Sequence, residues 1–133
     1  MMRVLPVVWR YAATSGFELS GDRVGLHAVA ESLRDAATVS EREVWHDSND
    51  RGATPYDVFI KRMVVRQAPS KVRITREDDV VVVTGRREEL NVLADNIDSL
   101  VHGAERGDHL HIEYFPDHFY LDQGSEPLVV RME

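Results

Sequence analysis

The chain has no cysteine among its 133 residues, which removes disulfides, thiolate metal sites and a cysteine nucleophile. It also lacks a long apolar run. The opening MMRVLPVVWRYAATSG is interrupted by Pro6 and Arg10, so neither a signal peptide nor a membrane span is expected and a cytoplasmic protein is. No serine stands in a G-x-S-x-G elbow, and GDRVG and TGRREE lack the Gly-Lys-Ser/Thr of a phosphate-cradling loop. Positive charge is scarce at one end. Residues 88–133 carry 2 basic and 11 acidic groups, residues 57–87 carry 8 and 4, and residues 1–56 carry 6 and 8, so the net charge of −7 is concentrated in the last third. A field of that sign repels nucleic acid and favours a basic partner. The cations at 61, 62, 66, 71, 73 and 76 are dispersed by strand alternation, and no nucleic-acid surface is expected from them.

What the chain does have is an internal repeat. Shifted by 64 positions, FELSGDRVGLHAVAESL (17–33) falls on VVVTGRREELNVLADNI (81–97). Gly21 meets Gly85, Leu26 meets Leu90 and Ala30 meets Ala94. Each copy reads as strand, small turn and helix. Leu26, Val29, Ala30 and Leu33 recur at i, i+3, i+4 and i+7, as do Leu90, Leu93, Ala94 and Ile97, so each helix has one apolar stripe. Ser20 and Thr84 are the candidate N-caps.

Two strand-like runs follow each helix: 56–67 and 71–77, then 109–115 and 127–132. The expected fold is α+β: two β-α-β-β units, at 16–77 and 79–132, form one mostly antiparallel sheet with two helices packed on one face. Residues 1–133 form a single domain, with a further strand at 3–11 that Pro6 assigns to an edge. A solvated connector is expected at 40–55. Its HDSNDRG resembles a calcium loop but has Arg51 and Val58 at ligand positions.

Half of the six histidines crowd into DHLHIEYFPDH (108–118). A period of two puts His109, His111, Glu113 and Phe115 on one strand face and Leu110, Ile112 and Tyr114 on the other, the better core face. His109 and His111 with Glu113 could hold a metal ion, and a metal-dependent enzyme or metal-binding protein is one alternative reading. A polar strand face turned to a partner is the leading one, with no catalytic residue, metal or other cofactor. The following connector, PDHFYLDQGSEP, is long and carries aromatics among carboxylates, a common recipe for an interface. Phe119 and Leu121 are expected to fold back onto the core. Asp117, His118, Tyr120, Asp122 and Glu126 then join His109, His111 and Glu113 as candidate partner contacts.

The run HLHIEYFPDHFYLDQGSEPLVV (109–130), with H-x-H-x-E-Y, Pro, His, Leu and then S-x-P-L-V-V, resembles the closing segment of the immunity protein 32 family of bacterial polymorphic-toxin systems. VVVTGRREELNVLADNI is similar to that family's preceding unit. The resemblance implies a small cytoplasmic protein, encoded beside a toxin, that binds the toxin domain and blocks it without doing chemistry. The cognate toxin is expected to be basic and nuclease-like, and the chain a monomer or homodimer. A plain oligomerising interaction domain is the other alternative.

Overall fold

The computed structural model describes residues 4–39, 41–46 and 58–133. Among them the elements run β1 (Val4–Leu5), β2 (Val7–Ala12), β3 (Gly16–Gly21), α1 (Arg23–Val39), β4 (Glu41–His46), β5 (Val58–Ile60), β6 (Arg62–Gln67), β7 (Arg73–Glu77), β8 (Val80–Gly85), α2 (Arg87–Gly103), β9 (His109–Ile112) and β10 (Leu128–Met132). The α+β class expected from the sequence is the class adopted. The single sheet is not. The strands form two five-stranded mixed sheets, a first in the order β1-β4-β6-β8-β7 and a second in the order β5-β2-β3-β10-β9.

The division has a local cause at two residues. Pro6 stands between β1, which joins the first sheet, and β2, which lies inside the second between β5 and β3. A proline has no N–H for a ladder, and it marks the point where the chain changes sheets: the single strand expected at 3–11 is two, β1 at the edge of the first sheet, as expected, and β2 inside the second. Lys61 does the same between β5 and β6, splitting the expected 56–67 run. Its N–H is taken instead by the Asp79 carbonyl at 2.8 Å.

Two further expectations shift. The run at 71–77 forms a hairpin with β8, pairing Ile74 with Val83 and Thr75 with Val82. The stretch expected as a solvated connector contains β4, which pairs antiparallel with β6; its residues 40 and 47–55, and with them the rejected calcium loop after His46, lie outside the described residues. Cross-strand pairs Glu43–Arg62 at 3.0 Å and Glu41–Arg66 at 2.8 Å flank Val64, Val80 and Val82 on the outer face of the first sheet.

Both apolar stripes are buried as expected: Leu26, Val29, Ala30, Leu33, Leu90, Leu93, Ala94 and Ile97 are each at most 1% exposed. The helices pack on each other. α1 also touches β1, β3, β4 and β6, and α2 touches β8, β9 and β10. Close approach dictates Gly25: a Cβ there would stand 2.6 Å from the Pro6 carbonyl oxygen. The N-caps fall later than expected because β3 and β8 run on to Gly21 and Gly85. Asp22 caps α1, its Oδ1 accepting from the Gly25 N–H at 2.8 Å. At the start of α2, Arg86 offers no side-chain cap.

Candidate partner-binding site

β9 is an edge strand of the second sheet, and its alternation follows the sequence reading. His109, His111 and Glu113 are exposed, Leu110 is half-buried and Ile112 is buried. The two imidazoles meet edge to face with centroids 4.9 Å apart. Register places His111 opposite Val129 and His109 opposite Arg131, while Val129 stands beside Glu18 and Glu18 beside Arg10. The outer face of the second sheet is therefore wet and charged. Glu18 lies between Arg10 at 3.3 Å and Arg131 at 3.8 Å, and these residues with both histidines line a shallow hollow of about 200 Å³.

The backbone edge of β9 is open as well. Met132 donates to the Asp108 carbonyl at 2.8 Å. In an antiparallel ladder hydrogen-bonded pairs alternate, so Leu110 and Ile112 turn their polar groups toward β10 while His109 and His111 turn theirs outward.

The connector beyond β9 departs from its expected form. Asp117 has φ 66, and the His118 N–H donates to the Phe115 carbonyl at 3.0 Å, so Phe115–His118 closes a tight turn with Pro116 preceding the left-handed residue, as a type II turn requires. The segment then lies along the outer edge of β7. Val72 donates to Tyr120 O and accepts from the Asp122 N–H, both at 2.8 Å; Glu126 donates to Ile74 O at 2.8 Å, and the Ile74 N–H reaches Ser125 Oγ at 3.0 Å. An edge that would otherwise invite pairing is covered by the chain itself.

This pinning buries two of the candidate contacts. His118 is 6% exposed and Tyr120 4%, so neither offers a surface to a partner. His118 Nδ1 accepts from the Tyr120 and Leu121 N–H groups at 3.2 and 3.0 Å, and its carbonyl accepts from Lys71 Nζ at 2.6 Å. Burial, with the Lys71 charge adding to it, pushes the imidazole below its ordinary pKa. The Tyr120 hydroxyl accepts from Asn96 of α2 at 2.9 Å, and burial raises its pKa. Both residues hold the connector in place. Leu121 is buried as expected, but Phe119 is 67% exposed, against the expectation that it caps the core.

The carboxylates divide. Glu113 and Asp117 are exposed. Asp122 is engaged within the chain: the Gly124 N–H at 2.9 Å and Arg73 at 2.8 Å hold its carboxyl below the usual range. Glu126 lies against the Tyr11 hydroxyl and raises its pKa.

Residues 80–131 match the family model of Immunity protein 32.

The resemblance drawn from the sequence thus holds over that stretch. The Immunity protein 32 match covers β8, α2, β9, the pinned connector and most of β10. No curated protein matches the chain.

The sequence reading missed a polar cluster between the helices. Asp98, 8% exposed, accepts from Arg34 at 2.6 Å and lies 2.9 Å from His27 Nδ1; Arg34 also reaches Glu31 and Asp95, each at 2.8 Å. Burial alone would raise the Asp98 pKa, but the hydrogen bonds from His27 and Arg34 outweigh it and lower it. A signal was available, since the 64-residue shift lays Glu31 on Asp95 and Arg34 on Asp98. His27, Glu31 and Asp98 offer ligand atoms within 4.8 Å of one another, yet the Arg34 guanidinium already occupies that carboxylate. His109, His111 and Glu113 form no such group among the described residues: Glu113 falls beyond the end of β9.

Proposed function

We propose that this chain is a non-enzymatic immunity protein that binds and neutralises the toxin domain encoded beside it. The observation that carries this reading is the Immunity protein 32 match over 80–131. In this reading the chain acts in the cytoplasm, as a monomer or homodimer, and its toxin is basic and nuclease-like. His109, His111, Glu113 and Asp117 are the contacts on β9 and the turn after it, with Asp122 and Glu126 at the margin and His118 and Tyr120 as internal supports.

The concentration of acidic groups after residue 88 supports electrostatic capture. An inhibitor has to arrive before the toxin acts, and complementary charge raises association above the neutral ~10⁵–10⁶ M⁻¹s⁻¹. The test has two arms. Co-expression of the full chain with the neighbouring toxin domain should restore growth of cells that the toxin alone kills, and failure to protect sinks the reading. Stopped-flow association should slow by about tenfold or more from low to high salt; an unchanged rate removes the acidic-steering part alone.

A further inference from the structure

Four large apolar side chains are exposed among the described residues, and two of them belong to the same tight turn and its exit: Phe115 at 58% and Phe119 at 67%; Val24 and Val39 stand on α1. The two rings flank one buried imidazole. Phe115 lies 4.6 Å from the His118 ring centroid, and Phe119 stacks on it at 5.8 Å with planes 4° apart. That imidazole is fixed by two backbone N–H groups and its carbonyl by Lys71, and the following residues are laddered to Val72 and Ile74. Burial elsewhere is thorough enough to bring Leu121, two residues on, to 1% exposure. The outward rings are therefore not left over from a loose loop.

Rigid aromatic side chains lose little freedom on binding, and anchors of this kind dominate interfaces. Two exposed carboxylates, Glu113 and Asp117, precede and separate them, and Lys71, which reaches the turn from below, is engaged by the His118 carbonyl. We propose that Phe115 and Phe119 are the anchor residues of the toxin interface, entering an apolar pocket of the toxin domain whose rim carries basic groups that meet Glu113 and Asp117. The proposal rests on the immunity reading and assigns the part of the surface that provides most of the affinity.

The test titrates the full chain with the purified toxin domain of the neighbouring reading frame. Phe119→Ala should weaken binding about 30-fold, and the Phe115→Ala/Phe119→Ala pair by more than 100-fold, about the loss expected at interface hot spots. Val24→Ala, an equally exposed apolar truncation on α1, should bind like the parent, and all three variants should keep the parent's melting temperature. Should the double variant unfold, 4-fluorophenylalanine at position 119 of the intact chain gives a second reading: its ¹⁹F resonance should shift on toxin addition. A double variant that folds and binds within threefold of the parent, or an unmoved resonance, overturns the anchors while leaving the immunity reading intact. A parent chain that does not bind the toxin domain overturns both.

Discussion

The two halves of this chain begin alike and finish differently. β3 and β8 both end on a glycine, and α1 and α2 each span 17 residues starting 64 apart, at Arg23 and Arg87. Equivalent stripes fill one core, and equivalent positions even face one another, as Arg34 does Asp98. The difference lies after the helices. In the second half the chain between β9 and β10 runs out to the β7 edge, is fixed by a buried histidine and tyrosine, and presents two phenylalanines. The repeated part is scaffold. The unrepeated part bears the surface on which the proposed function depends, and it lies within the family match.

Truncation at equivalent core positions tests the likeness most severely. Leu33 and Ile97 are each 1% exposed, and Leu33→Ala and Ile97→Ala should each cost about 2–5 kcal/mol in chemical denaturation. A cost near zero at either would mean that the halves do not share one core.

Acidification should single out the second half. His118 has a folded-state pKa below the ordinary 6.5, so between that depressed value and 6.5 the unfolded chain binds a proton that the folded chain refuses. Stability should fall as pH drops through 6.5 and stop falling on this account once the folded pKa is passed, with a slope of at most about 1.4 kcal/mol per pH unit. Asp98 and Asp122, both lowered, contribute stability that is present above the ordinary carboxylate pKa and lost only below it. His118→Asn retains an acceptor near Nδ1 without titrating. Its stability should be flatter than the parent's just below pH 6.5, and matching slopes would refute the assignment.

The helix starts give the smallest contrast. Asp22→Ala removes the α1 cap and should cost about 1 kcal/mol. Arg86→Lys removes no cap and keeps a cation beside Glu89, whose side chain is 15% exposed, and should cost less than about 0.5 kcal/mol. Equal losses in thermal melts would erase the distinction between a capped and an uncapped helix.

The helices and the alternation of β9 were legible in the sequence because they depend on local period: Leu26 to Leu33, Leu90 to Ile97, and His109 and His111 against Ile112 all face as read. The two-sheet division was not, because Pro6 and Lys61 carry no mark distinguishing a change of sheet from an edge or an interruption. The site was half legible. Composition pointed to the connector, but the facing of His118, Tyr120 and Phe119 is decided by hydrogen bonds to Val72 and Ile74, more than forty residues upstream. No local pattern encodes such a partner.

The exchange of strands between halves also governs how the molecule can be divided. β8 is flanked by β6 and β7, and β10 lies against β3, all three of these neighbours outside residues 80–131. Excised alone, that stretch would present unsatisfied ladder groups on both sides of β8 and along one side of β10, the condition under which strands seek foreign partners. The portion carrying the family pattern thus depends on the rest of the chain to protect its strands.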